Sequence, residues 1–266
     1  MRRLLLSALA LTAPLTAQES TWEYRGAAGE AYGAALAAVG DWNRDGIPDW
    51  AAGAPYGAAD DGTNGGYVLV HSGRNGDVIR RIGGGGGEFG AALAGAGDVD
   101  RDGLPDLLVG APRADGDAPA SGRAEVRSGA DGSLLLEFRG GAPWTRFGAA
   151  VAGIGDADGD GVPDLLVGAP GDSRAGREAG AVTLFSGADG RVLVDLLGPG
   201  PLARFGAAVC GLGDVDADGR DDFAVGAPGA GEDEAGAVLL YSGASGSLIR
   251  MERGARPGGA FGAALA

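Results

Sequence analysis

Four stretches of this 266-residue chain space side-chain oxygens at a rhythm that suits a hard cation. They read Asp41-Trp-Asn43-Arg-Asp45-Gly46-Ile47-Pro-Asp49 and Asp98-Val-Asp100-Arg-Asp102-Gly103-Leu104-Pro-Asp106, then Asp156-Ala-Asp158-Gly-Asp160-Gly161-Val162-Pro-Asp164 and Asp214-Val-Asp216-Ala-Asp218-Gly219-Arg220-Asp-Asp222. Oxygens at positions 1, 3, 5 and 9 can converge on one ion if the glycine at position 6 reverses the chain. The carbonyl of position 7, belonging to Ile47, Leu104, Val162 or Arg220, is expected as a further ligand. Calcium is favoured over magnesium, because several carboxylates and a carbonyl make a roomy, flexible cage built mostly from protein; up to four ions are expected. An EF-hand begins the same way but needs a glutamate at position 12, where this chain has Ala52, Val109, Val167 and Val225. A solvated acidic turn is the plainer alternative for one copy. Four copies in one register, with Asp at fifteen of sixteen side-chain ligand places, argue against it. Without a cation each loop would crowd like charges together at a cost in stability. Asn43 leaves loop one a charge short, and Asp221, replacing the proline of position 8, is expected to loosen loop four.

The elements that must carry these loops follow from a longer repeat. Tyr32-Gly33, Phe89-Gly90, Phe147-Gly148, Phe205-Gly206 and Phe261-Gly262 open five copies of one phrase, spaced 57, 58, 58 and 56 residues apart. Each of the first four copies then carries its acidic loop, a Gly-Ala-Pro, and a Ser-Gly step. In the third copy, Phe147 to Ile154, Asp164 to Val167, Ala181 to Phe185 and Arg191 to Leu197 are short apolar runs between glycine-rich breaks, which predicts four strands and no helix. Asn75-Gly76, Asp131-Gly132, Asp189-Gly190 and Ser245-Gly246 predict the tight turn between the third and fourth strands. One such meander cannot bury both faces alone, but units stacked radially can. The predicted fold is therefore all-β, a propeller of four-stranded antiparallel blades, with four complete blades and partial blades at both ends in an incomplete ring. The first strand, made of Gly, Ala, Val and Leu with Cys210 in the fourth copy, is expected innermost, where small residues let backbones converge, with Cys210 as a small buried thiol.

Composition narrows the function. The formal net charge of −15 repels phosphate backbones, so nucleic acid is not an expected partner. One Cys allows no intrachain disulfide and one His no His-rich zinc site. Met1-Arg2-Arg3 followed by an apolar run to Leu15 reads as a secretory signal over 1–17, leaving 18–266 as the propeller in a secreted, periplasmic or cell-surface setting, with no transmembrane helix after it. His71 aligns with Arg127, Phe185 and Tyr241, as an ordinary strand position would. No nucleophile elbow, phosphate loop or paired-histidine motif occurs, so no catalytic residue or organic cofactor is expected.

Phe-Gly, Asp-x-Asp-x-Asp-Gly-x-x-Asp and Gly-Ala-Pro, repeated about every 58 residues, resemble the FG-GAP repeats of the integrin α-subunit N-terminal β-propeller and its bacterial secreted relatives. The repeats run over about 31–82, 88–139, 146–197 and 204–250, with a fifth beginning at 260. The resemblance implies calcium in loops between the first two strands of each blade and extracellular adhesion or binding of a protein or glycan ligand. The alternatives are a non-catalytic scaffold domain of a larger secreted enzyme and a purely structural surface protein. The family ring usually has seven blades, so this chain reads as a fragment or truncated product, with a compact ring or a self-associating arc as alternatives. Glu23-Tyr24-Arg25-Gly26 resembles Glu137-Phe138-Arg139-Gly140, a fourth strand, which suggests that a last-strand piece precedes the first repeat. The ligand surface is expected on the face away from the acidic loops, where Arg113, Trp144, Arg146, Arg174, Arg177 and Arg204 lie in the most variable connections.

Overall fold

A computed structural model of the chain describes residues 23–58, 65–231 and 233–265; the expected signal over 1–17 and part of the first variable connection lie outside these. Blade one comprises β1 (Leu36–Gly40), β2 (Asp49–Ala54), β3 (Tyr67–His71) and β4 (Val78–Gly83). Blade two holds β5 (Ala92–Gly97), β6 (Asp106–Ala111), β7 (Arg123–Arg127) and β8 (Leu134–Arg139). Blade three holds β9 (Ala150–Gly155), β10 (Asp164–Ala169), β11 (Ala181–Phe185) and β12 (Val192–Leu197). Blade four holds β13 (Ala208–Gly213), β14 (Asp222–Ala227), β15 (Ala237–Tyr241) and β16 (Leu248–Arg253). Each blade is an antiparallel meander in sequence order. Among the described residues no helix is long and apolar enough to cross a membrane.

The first strands of successive blades touch in the order β1, β5, β9, β13, which places them around a common axis. Glycines make this approach feasible: a Cβ on Gly95 would lie 2.9 Å from the Ala38 carbonyl oxygen, and one on Gly153 only 2.4 Å from that of Gly95. The innermost position expected for these strands is thus observed. They are nonetheless half-buried, Cys210 included, and the most buried strands are the second of each blade, fully so in blades two to four and broken by half-buried Trp50 in blade one. Leu107, Leu108, Leu165, Leu166 and Phe223 fill that layer, so the core lies between sheets rather than at the axis.

The Phe-Gly and Gly-Ala-Pro phrases meet in space. The N–H of each phrase glycine donates to the Gly-Ala-Pro glycine of its own blade, Gly90 to Gly110 at 3.0 Å and Gly148 to Gly168 at 3.0 Å. Its carbonyl oxygen faces the same glycine of the preceding blade: a Cβ on Gly53 would lie 1.9 Å from the Gly90 oxygen, and one on Gly168 2.1 Å from that of Gly206. The aromatic ring of the phrase packs on the residue before Ser-Gly. The pairs are Tyr32 with His71, Phe147 with Phe185 and Phe205 with Tyr241, at centroid distances of 6.3, 6.1 and 5.9 Å. In blade two the Arg127 guanidinium lies 5.7 Å from the Phe89 ring instead. Tyr32, the one departure from Phe, uses its hydroxyl on Nε2 of buried His71 at 2.6 Å. This is the strand role expected of His71.

Two expectations on strands need correction. The first strand of blade three starts at Ala150 rather than Phe147, because Phe147 pairs in parallel with Gly122 of blade two, its N–H donating to the Ser121 carbonyl at 3.0 Å. The partial blades contribute contacts but no strands among the described residues. Tyr24 lies 4.4 Å from His71 with its ring tilted by 59°, in the place where Phe138 stacks 4.2 Å from Phe185, and Phe261 makes a single bridge to Gly236. Residues 23–26 therefore fill the place of a fourth strand against blade one without forming its ladder.

The array is an open ring, and its outward faces show it. Position 2 of the acidic loop is buried in blades one to three, at Trp42, Val99 and Ala157, but Val215 is 49% exposed. Phe261 is 43% exposed, whereas Phe89, Phe147 and Phe205 are buried. Leu36 is exposed on blade one. These faces match those that bury each other at the internal junctions. The chain is therefore expected to self-associate with rising concentration, as light scattering would read; a monodisperse monomer at all concentrations would contradict this.

Candidate metal centres

The acidic loops join the first and second strands, and each begins at a glycine in the left-handed region where the pairing slips by one residue. These are Gly40, Gly97, Gly155 and Gly213, with φ of 75°, 74°, 82° and 70°. Beyond that bend the loop wraps its own carboxylates. Oδ2 of the position-1 residue accepts the position-6 glycine N–H, at 2.7 Å for Asp41, 3.0 Å for Asp98, 2.9 Å for Asp156 and 2.9 Å for Asp214. Position 3, Asn43, Asp100, Asp158 or Asp216, accepts the N–H of position 5. Position 5, Asp45, Asp102, Asp160 or Asp218, accepts that of position 7. The chain is thereby coiled with its oxygens on the inside of the turn.

Position 9 carries a role that spacing did not reveal. Asp49, Asp106, Asp164 and Asp222 are buried, and each Oδ2 accepts the position-2 N–H at 2.8 Å. Each Oδ1 accepts the glycine N–H of the Ser-Gly step, Gly73, Gly129, Gly187 or Gly243, at 2.9 to 3.1 Å. One carboxylate thus ties the acidic loop to the β3–β4 turn of blade one and its equivalents, and puts both on one face of the array.

Three loops bring carboxylate oxygens within 4.8 Å of one another: Asp98, Asp100 and Asp106; Asp156, Asp158 and Asp164; and Asp214, Asp216 and Asp218. Loop one makes no such triad among the described residues, since Asn43 stands at position 3 and Asp45 pairs with Arg74 at 3.2 Å. Asp102 and Asp160 stand outside the tight triads of their loops, as does Asp222 in loop four. Of the position-7 residues, Leu104 and Val162 bury their side chains while Ile47 is exposed, so only their backbone is available to a cation.

The carboxylates crowd one another, with Asp158 of loop three partly offset by Arg191 at 2.5 Å. Burial pushes Asp106 and Asp164 up to about 6, with Asp100 and Asp158 adding repulsion, against the N–H bonds that lower them. Burial and the neighbouring Asp222, Asp218 and Asp214 also raise Asp216. A hard divalent cation would favour the charged forms and supply the missing counter-charge, and an all-oxygen donor set is the kind that calcium takes. The residues fit the ion.

The loops also touch across blades. Pro105 of loop two packs on Gly40 and Pro163 of loop three on Gly97, where added Cβ atoms would come within 2.5 and 2.6 Å. Arg101 donates to the Asp160 carbonyl at 2.8 Å. Asp221, expected to loosen loop four, accepts the N–H of Asp156 in loop three at 2.8 Å. On the opposite face, Arg113, Trp144, Arg146, Arg174, Arg177 and Arg204 are exposed, Trp144 at 70%. Arg174 is held by Asp172 at 2.9 Å and Asp195 at 2.7 Å, Arg113 pairs with Glu88 at 3.0 Å, and Arg204 pairs with Glu178 at 3.5 Å.

Comparison with known proteins places this geometry. The profile of the FG-GAP repeat family matches residues 89–124, 147–185 and 205–241. Integrin alpha-V of Gallus gallus is 38% identical over 154 residues, covering 55% of this chain and 14% of the relative. Integrin alpha-PS2 of Drosophila melanogaster is 34% identical over 216 residues, covering 71% of this chain and 15% of the relative. The chain thus spans about a seventh of the length of the integrins it matches. Among solved structures, the crystal structure of BBS1N in complex with ARL6DN, soaked with mercury, is similar in fold, with a TM-score of 0.52 and 13% identity over 84% of this chain and 54% of that one. Three family matches fall on blades two to four, where the Phe-Gly and Gly-Ala-Pro glycines interlock, so the chain is an FG-GAP repeat protein similar to the integrin α-subunits.

Proposed function

We propose that this chain is a calcium-binding extracellular module, secreted or at a cell surface, whose propeller face binds a protein or glycan ligand in adhesion, without catalysis. The observation that carries the reading is the recurrence of a carboxylate triad in the same loop of three successive blades, at positions 1, 3 and 9 in loops two and three and at positions 1, 3 and 5 in loop four. Asp98, Asp100, Asp102 and Asp106, with the carbonyl of Leu104, would hold one ion; the corresponding residues of loops three and four would hold two more. Loop one, through Asp41, Asn43, Asp45, Asp49 and the carbonyl of Ile47, would hold a fourth more weakly. When bound, the ion supplies counter-charge. The position-9 aspartates pass the resulting order to the neighbouring turn through Gly73 and its equivalents. The loops would then stiffen the array on one face and leave the opposite connections free for recognition.

Calorimetric titration tests the metal reading. Asp160→Ala should abolish one calcium equivalent, whereas Asn43→Ala, in the loop that already lacks a charge, should cost less affinity. Equal and negligible effects would reduce the loops to solvated turns. The ligand reading is tested separately. Ligand capture by the extracellular face should fail on changing Trp144, Arg146, Arg177 and Arg204 and survive changes at Asp131 or Asp189 in the turns. The reverse pattern would move the recognition surface to the acidic face.

A further inference from the structure

We propose that the Arg220-Asp221 peptide couples the cation loops of blades three and four, so that ordering loop four orders loop three; this rests on the calcium reading above. At position 8 the other inter-blade contacts are apolar, Pro105 on Gly40 and Pro163 on Gly97. Between blades three and four the contact is polar. The Asp221 carboxylate accepts the N–H of Asp156, the first aspartate of loop three, at 2.8 Å. A Cβ on Gly155 would lie 2.0 Å from that carboxylate oxygen, so the glycine is what admits it.

Arg220 makes a second crossing. A Cβ on Gly159 would stand 1.0 Å from Nη1 of Arg220, so the guanidinium runs over the backbone of loop three at its position 4. Loops one, two and four have Arg44, Arg101 and Ala217 there, each forced into the left-handed region at φ of 57°, 61° and 65°. Glycine occurs at this position only in the loop that Arg220 crosses. The crossing coincides with a local change of bonding: Oδ1 of Asp156 accepts the N–H of Gly159 at 2.5 Å, whereas in the other loops the same oxygen accepts the N–H of position 5. Two departures from the repeat, one in each loop, therefore meet at a single contact.

The chemistry of that contact ties the two loops together. The carbonyl of Arg220 is the position-7 oxygen of loop four, while its side chain and its neighbour Asp221 engage loop three. Closing loop four on an ion fixes the 220–221 peptide, and a fixed peptide holds the Asp156 amide and the Gly159 backbone where loop three needs them. Sites three and four then share one coupling free energy, which works equally in both directions.

The test uses the amides of Gly46, Gly103, Gly161 and Gly219 in the full chain. Each donates to the first aspartate of its own loop and so reports that loop alone. In a calcium titration followed by nuclear magnetic resonance, Asp218→Ala, which disables loop four, should raise the calcium midpoint of Gly161 by roughly five-fold or more. The midpoint of Gly46 should stay in place. In a chain carrying Arg220→Val with Asp221→Pro, the residues that loop three itself uses, Asp218→Ala should no longer move Gly161. If Asp218→Ala loses signal dispersion, Asp214→Asn serves as the disabling change. A Gly161 midpoint indifferent to loop four, with all four glycines still titrating, overturns the coupling and leaves the calcium reading intact. Glycines that ignore calcium altogether overturn both.

Discussion

Chelation of calcium from the loaded chain should lower its melting temperature by on the order of 10 °C or more. Extracellular modules bind calcium with dissociation constants of roughly 10⁻⁴ to 10⁻³ M, and an ion at about ten times its constant contributes about 1.4 kcal/mol per site by mass action. Four sites would together contribute around 5 kcal/mol, comparable to the whole stability of an ordinary domain. For a chain of this size each kcal/mol moves the transition by about 2 to 4 °C. The effect should reverse on adding calcium back, and it should be smaller for a chain whose loop three has been disabled by Asp160→Ala. A calorimetric transition that is the same with and without calcium would remove the metal from the account of this fold.

The second large effect is expected at a glycine that binds nothing. Gly168→Ala places a methyl group 2.1 Å from the carbonyl oxygen of Gly206, which is backbone and cannot swing aside. Blades three and four must then separate, or the strand carrying Gly168 must shift within a layer that is fully buried. Overpacking of this kind costs typically 1 to 3 kcal/mol, and a rigid backbone partner on a core strand puts it at about 3 or above. Gly141→Ala makes the matching control, because a Cβ there meets nothing within 4 Å. Denaturant unfolding of the two variants should separate them by several kcal/mol of stability on the side stated; equal midpoints would mean that the interlock of the two phrases is not what sets the blade spacing.

Much of this was legible in the sequence because the chain repeats itself. Four copies in register expose the strand rhythm, the turn dipeptides and the acidic loops, and the structure places the first strands around the axis as the small residues implied. What the register hid is whatever runs between copies. Asp221 aligned with a proline reads as a loss, yet its partner Asp156 lies 65 residues away in another copy. Tyr32 aligned with phenylalanine likewise reads as a blemish until His71, 39 residues on, supplies an acceptor for its hydroxyl. The double duty of Asp49, Asp106, Asp164 and Asp222 was hidden for a different reason. Position and charge suggest a ligand, but only packing shows both carboxylate oxygens already taken by backbone N–H groups.

The glycine interlock also bears on how such a chain can be lengthened or shortened by gene duplication. Each junction uses the Gly-Ala-Pro glycine of one blade and the Phe-Gly carbonyl of the next, Gly53 on Gly90, Gly110 on Gly148, Gly168 on Gly206 and Gly226 on Gly262. A copied segment of one repeat length brings both halves of the joint with it, so an added blade meets old neighbours through the surfaces they already use. Copy number can then drift without any junction being reinvented, whereas the Arg220-Asp221 crossing, built from two unlike loops, would be broken by a blade inserted between them.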